Sequence, residues 1–212
     1  MERQYTNAAV VLALLAGVLF PCPSRAASPM VYPLDQRFAT IEFRTGGIGK
    51  IRTNGYFTRF SGHLGLDLGY PRNSTISVAV DDSAIDMGWS EGAKLLRSKA
   101  FFNAVQFPII VFRSTSVVPQ SPGRFMIHGI LTIRGIGHAE TFDAVLTRPA
   151  HQSPADGVVE DFVATGHVSR SDFGMTADKT FISDIISLII HVRVRLVDKI
   201  RRKSPSDLST SH

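Results

Sequence analysis

The sequence predicts an all-β fold, an antiparallel meander that closes into a barrel or packs as a sandwich, and three observations carry that reading. Residues 101–148 hold FFNAVQFPIIVFRSTSVV, a break at Ser121-Pro122-Gly123, and then RFMIHGILTIRGIGHAETFDAVLT. Each run sets an apolar face against a polar one, as a sheet with a dry inside and a wet outside requires. The runs are separated only by the Pro/Gly break and by Arg134-Gly135-Ile136-Gly137, connections short enough for antiparallel neighbours.

The other elements follow in order. Residues 40–44 alternate, with Ile41 and Phe43 on one face and Glu42 and Arg44 on the other. Gly46-Gly47-Ile48-Gly49 reads as a turn. Residues 55–60 and 62–68 read as a strand pair across Ser61-Gly62, with Leu64, Leu66 and Leu68 at period two. A Tyr70-Pro71-Arg72-Asn73 turn precedes the β-branched run 74–80. The one helical segment is 90–98: Ser90 can cap it, Glu91 suits its positive end, and Arg97 and Lys99 suit its negative end. Leu95 and Leu96, with Phe101 and Phe102, would pin this helix to the sheet. Strands are expected at 109–118, 124–133 and 141–147, then a polar loop at 149–157, and strands at 158–169 and 184–197. That makes about eight strands, the number at which a barrel can hold one small or slender ligand. No internal repeat or long linker divides the chain.

The N-terminus has the layout of an export signal. Arg3 precedes an apolar run from Ala8 to Phe20, followed by Pro21, Pro23 and the small-residue stretch Ser24-Arg25-Ala26-Ala27-Ser28. Cleavage is expected after Ala26 or Ala27. The 13-residue apolar run is short for a membrane span, which needs about 20 residues. An uncleaved anchor and lipoprotein processing at Cys22 are the alternatives; Leu19-Phe20-Pro21 is a poor match to the small residues that precede a lipidated cysteine. Cys22 is the sole cysteine, so the expected mature chain has no disulfide and relies on its core. The expected division is 1–26 signal peptide, 27–198 barrel domain, and 199–212 disordered basic and polar tail.

Charge narrows the function. Lys plus Arg number 23 against 18 Asp plus Glu, a formal net charge of +5. This is mildly basic, without the clustered cations and exposed aromatics of a nucleic-acid binder, so no nucleic acid is expected as a partner. The dense basic run Arg193, Arg195, Lys199, Arg201, Arg202 and Lys203 reads as a solvated strand face and soluble tail. Its alternative is a transient membrane contact through anionic head groups.

Several segments, in order, carry a resemblance. They are Tyr32-Pro33-Leu34-Asp35, Gly55-Tyr56-Phe57-Thr58-Arg59-Phe60-Ser61-Gly62, Ser83-Ala84-Ile85-Asp86-Met87-Gly88, and Leu96-Arg97-Ser98-Lys99-Ala100-Phe101-Phe102. Phe107-Pro108, Phe112-Arg113-Ser114, Gly129-Ile130-Leu131-Thr132-Ile133-Arg134-Gly135 and Ser169-Arg170-Ser171-Asp172-Phe173-Gly174-Met175 follow. Together, across roughly residues 32–197, this set resembles the YceI-like family. The resemblance implies a lipocalin-like antiparallel barrel, exported to the bacterial periplasm, whose long apolar interior binds polyisoprenoid or similar amphiphilic chains. Three positions where that family often has histidine hold Phe38, Gly47 and Leu95 here, so a polar cluster for a head group, a metal or chemistry is not carried over.

The residues support a lipid site independently. Phe43, Phe57, Phe60, Phe112, Ile127, Leu131, Phe142 and Leu146 are large apolar side chains on expected strands, and Phe101 follows the helix. Either they fill the barrel or they line a cavity. A lipid chain in such a cavity would gain about 0.8 kcal/mol per buried methylene. Arg97 or Lys99 would lie at the mouth and meet an anionic head. No cofactor is expected and no catalytic constellation is found. His63, His128, His138, His167 and His191 lack metal-site spacing, although the 134–137 turn could bring His128 and His138 together. Asp81, Asp82 and Asp86 read as a solvated turn. Gly46-Gly47-Ile48-Gly49 lacks the Lys and Ser/Thr of a phosphate loop. A stress-response factor or enzyme using the same cavity, and a filled barrel acting through its surface, are the alternative functions.

Overall fold

The computed structural model describes residues 29–46, 49–67, 69–153 and 157–196. The expected signal peptide and tail, and the Gly47 and Leu68 assignments, lie outside them. Eleven strands are found among the described residues: β1 (Met30–Pro33), β2 (Ala39–Thr45), β3 (Thr53–Phe57), β4 (Phe60–Leu66), β5 (Thr75–Asp81), β6 (Ile85–Asp86), β7 (Ile109–Ser121), β8 (Arg124–Ile133), β9 (Ile136–Ser153), β10 (Gly157–Ser169) and β11 (Ile185–Leu196). One helix, α1 (Ser90–Arg97), lies between β6 and β7. Every ladder is antiparallel, in the order β1-β4-β5-β7-β8-β9-β10-β11-β2-β3-β6.

The expected pairing of 55–60 with 62–68 is wrong, and the correction explains how the barrel closes. β3 pairs with β2, and β4 pairs with β5, but β3 and β4 do not pair with each other. They are successive halves of one extended segment that changes direction at Thr58-Arg59. β5 and β6 follow the same bend: Thr58 N donates to Ala84 O at 2.8 Å and Asp81 N donates to Arg59 O at 2.9 Å, continuing the ladder through the corner. Counting β3 and β4 as one bent strand, and setting aside the short edge strands β1 and β6, the ring has the eight positions the sequence suggested. Ser61-Gly62 looked like a turn, but Gly62 sits inside a strand because the neighbouring strand passes too close for a side chain. A Cβ there would run into the Ser77 carbonyl.

Other differences have local causes. β9 starts at Ile136 and reaches Ser153, so the expected 149–157 loop is mostly strand. The turn before β9 is only Arg134-Gly135, both with positive φ (54° and 76°), as a two-residue hairpin needs. Ser90 does not cap α1. Trp89 holds the N-cap position without a side-chain bond, and Ser90, already in the first turn, donates its hydroxyl to Glu91 at 2.9 Å. Leu96 packs on the core beside Phe102, but Leu95 remains exposed.

Inward positions alternate along each strand, as the pleat dictates. On β11 they are Ile186, Leu188, Ile190 and Val192; on β10, Phe162, Ala164 and Val168; on β8, Phe125, Ile127, Leu131 and Ile133. Two inward glycines make room for aromatic rings. A Cβ on Gly129 would lie 2.5 Å from the Phe112 ring, and one on Gly166 would lie 2.6 Å from the Phe142 ring. Those two rings meet edge to face, with centroids 5.1 Å apart.

Candidate functional site

The interior is hollow. A cavity of about 550 Å³ runs through the barrel, lined by side chains from strands all around the ring and from α1. That size lies within the usual range for small-molecule sites, roughly 300–1,000 Å³. Phe112, Phe125, Ile127, Phe162, Leu188 and Ile190 point inward yet are only half-buried, because they face this space rather than one another. The filled-barrel alternative does not hold for this structure.

Nearly all of the wall is apolar. Its polar side chains are Thr45, Arg52, Thr53, Ser74 and Arg170, and among the described residues no carboxylate lines it. Four lining residues are exposed, and they mark the mouth: Ile51 (58%), Arg52, Trp89 (53%) and Leu95 (43%). They come from the segment between β2 and β3 and from the start and middle of α1. The connection between β10 and β11 closes the same side. Ile51 N donates to Phe181 O at 2.8 Å, and Lys50 Nζ donates to the carbonyls of Lys179 and Thr180 at 2.6 and 2.7 Å.

Arg170 lies behind this rim, 3% exposed. Its guanidinium donates to three backbone carbonyls: Nε to Ser183 at 3.0 Å, Nη1 to Met175 at 2.7 Å and Nη2 to Ile182 at 3.3 Å. It also lies 5.9 Å from the Phe101 ring centroid. The flanking hydroxyls of Ser169 and Ser171 donate to the Asp184 carboxylate at 2.7 and 2.8 Å. Burial works to raise the Asp184 pKa, but these bonds outweigh it and hold the carboxyl below its ordinary range. The Ser-Arg-Ser segment thus ties both ends of the 174–184 connection together. No carboxylate pairs with Arg170 among the described residues, so a buried positive charge faces an apolar cavity. Nearby, the Thr45 hydroxyl is buried without a hydrogen-bond partner among the described residues and also lines the cavity.

Seven of the ten residues singled out as ligand-binding line the cavity: Phe43, Phe57, Phe101, Phe112, Ile127, Leu131 and Phe142. Phe60 does not; just past the bend, it is buried in the packed core. Leu146 does not either, because it lies against Gly123 in the β7–β8 turn, beyond the end of the space. Arg97 points away and donates to Ser83 O at 3.3 Å. The cations at the cavity are Arg52 and Arg170 instead. Arg170 stood out only as part of the Ser169-Arg170-Ser171-Asp172-Phe173-Gly174-Met175 match; Arg52, in a turn-like stretch, had no signal.

Two further expectations need correction. His128 and His138 are not brought together: His128 faces Thr141, with Nδ1 2.9 Å from its hydroxyl, whereas His138 faces Leu131 and packs on Phe173. Among the described residues, no group of three or more His, Cys, Asp and Glu could hold a metal. Asp82 is not in a solvated turn. It is 0% exposed, where two extra residues bulge the β5–β6 segment, and among the described residues neither carboxylate oxygen has a hydrogen-bond partner. Burial, and secondarily the Asp81 charge, push its pKa up to about 6.

The comparisons agree with this architecture. Residues 32–194 match the model of the YceI-like domain. A UPF0312 protein of Yersinia enterocolitica is 31% identical over 183 residues, covering 86% of this chain and 94% of that protein. One from Yersinia pestis is 29% identical, covering 84% and 92%. Among solved structures, Burkholderia cenocepacia BcnA superposes with a TM-score of 0.68 at 19% identity, over 76% of this chain and 99% of that one. The Campylobacter jejuni YCEI protein gives 0.61 at 22%, over 68% and 85%. A polyisoprenoid-binding domain from Saccharophagus degradans, implicated in plant cell wall breakdown, gives 0.56 at 9%, over 80% and 99%. At these identities the structural matches speak for the fold.

Proposed function

Because the chain belongs to the YceI-like family, we propose that it binds a polyisoprenoid or similar amphiphilic lipid, with the hydrocarbon chain along the barrel and the polar head at the mouth. The observation that carries this reading is the hollow apolar interior with cations at one end. Ten methylenes moved from water into the cavity would gain about 8 kcal/mol gross. After association costs, that is compatible with micromolar affinity. At the mouth end, Arg52, the unpartnered Thr45 hydroxyl and the spare N–H groups of Arg170 favour a head that is anionic or rich in acceptor oxygens. The opposite orientation would put that head among hydrocarbon side chains near Phe125 and Val117.

In this reading the protein is exported through residues 1–26 and works in the periplasm as a lipid-sequestering or carrier protein rather than an enzyme. The composition of residues 8–28 supports export, and the resemblance supports the compartment.

Organic-solvent extraction of the purified protein followed by mass spectrometry tests the ligand. A stoichiometric isoprenoid or other single-chain amphiphile is expected. Failure to release any lipid, together with failure of the emptied protein to take up an apolar fluorescent dye, would overturn the reading. Replacing the small lining residues Ala144 and Ala164 with Phe should block dye uptake while the barrel remains folded by circular dichroism.

A further inference from the structure

Lipid carriers must collect an insoluble molecule, and the mouth of this barrel is built unlike the rest of its surface. Phe181 is 59% exposed and joins Ile51, Trp89 and Leu95 around the opening. These four large apolar side chains come from three separate segments, brought together by the Ile51–Phe181 backbone bond and by α1. Such a collar at a cavity mouth exceeds the scattered exposed hydrophobics of an ordinary surface. The same segments carry six cations, Lys50, Arg52, Lys94, Arg97, Lys99 and Lys179, against three acids, Glu91, Asp178 and Asp184. Lys50, Arg97 and Asp184 are engaged in internal hydrogen bonds. The collar is therefore apolar at its centre and positive at its margin.

We propose that this rim docks mouth-down on an anionic lipid bilayer, with Trp89, Ile51, Leu95 and Phe181 entering the head-group region and the surrounding lysines and Arg52 facing lipid phosphates. The partner follows from the chemistry. Aliphatic and aromatic side chains beside cations match the membrane interface, where Trp is favoured. The apolar patch is continuous with the cavity wall, so a chain could pass from bilayer to barrel without crossing water. This inference rests on the lipid-binding reading and adds the surface from which the lipid is taken. It also moves the expected membrane contact from the C-terminal basic run to the mouth.

Trp89 is the sole tryptophan of the chain, so its fluorescence reports this one place. With full-length protein and vesicles of equal parts phosphatidylglycerol and phosphatidylcholine bearing brominated acyl chains, Trp89 emission should shift to the blue and be quenched. Vesicles of phosphatidylcholine alone should be more than about tenfold less effective. Phe181→Asp changes an exposed residue that does not line the cavity. It should reduce quenching by at least about tenfold while dye uptake into the barrel stays unchanged. Three results would overturn the proposal: vesicle binding with Trp89 unquenched, which means another segment or a different class of partner uses the membrane; equal quenching by neutral vesicles; or undiminished quenching in Phe181→Asp, which means brominated lipid is entering the cavity without docking. Dye uptake by the unaltered protein reads the cavity separately, so loss of docking with dye uptake intact condemns the rim alone.

Discussion

Arg170 and Asp82 are both buried charges, yet the fold treats them differently. Arg170 gives three of its five N–H groups to the carbonyls of Met175, Ile182 and Ser183, which surround the positive charge with oriented dipoles. Asp82 donates its backbone N–H to Pro108 O at 3.1 Å, but among the described residues its carboxylate has no hydrogen-bond partner. Burial alone therefore does not decide what a charge costs; the supply of partners does. Arg170 organises the connection beside the cavity mouth, whereas Asp82 is a cost carried at a bulge.

The greatest effect should come from Arg170. Arg170→Leu removes the guanidinium and leaves three carbonyls without their donor, so stability should fall by about 3–5 kcal/mol in urea unfolding. Arg170→Lys keeps the charge but cannot reach three carbonyls in a planar fork, and should lose about half as much. A Leu variant as stable as the parent would break the comparison, since Arg170 would then be no better served than Asp82.

Asp82 should behave in the opposite sense. Its folded pKa, about 6, stands above the ordinary 3.8. Between those values the folded state holds the proton and the unfolded state releases it. Raising the pH through this window therefore removes stability, and the loss persists above it. Asp82→Asn removes the charge at nearly constant size. It should stabilise the protein by about 1–3 kcal/mol at pH 7.5, with the advantage disappearing below about pH 4. Other carboxylates also titrate here, including Glu160 and Glu140, both raised chiefly by burial. The difference between parent and variant across pH isolates Asp82. A constant difference from pH 4 to pH 8 would refute the assignment.

The contrast also marks how far the sequence could be read. Strands β7, β8, β10 and β11 were legible because their β-branched and aromatic residues alternate with polar ones, and α1 because Glu91 and Arg97 suit its two ends, although Ser90 is not its cap. The Thr58-Arg59 bend was not, because Ser61-Gly62 nearby has turn composition while the real constraint is the neighbouring strand. Seven of the ten expected site residues line the cavity, since inward facing follows from period two. The polar groups of the site escaped for a different reason. Whether an Arg or Asp is buried depends on the partners that long-range folding delivers, and nothing local separates Asp82 from Asp81, whose oxygens accept from Arg59 and Ser83.

The smallest effect should come from a third kind of charge, paired but exposed. Arg124 donates twice to Asp143 across β8 and β9, at 3.1 and 2.8 Å, so this carboxylate has the donors that Asp82 lacks among the described residues. Both groups stay in contact with water, so solvent and salt screen the attraction, and ordering two flexible side chains offsets most of what is left. Arg124→Ala should leave the urea midpoint within measurement error at physiological ionic strength, with any deficit at low salt vanishing as sodium chloride is added. A large, salt-insensitive loss would mean that the β8–β9 pair acts as a buried one does, and that access to water is the wrong axis on which to separate Arg170 from Asp82.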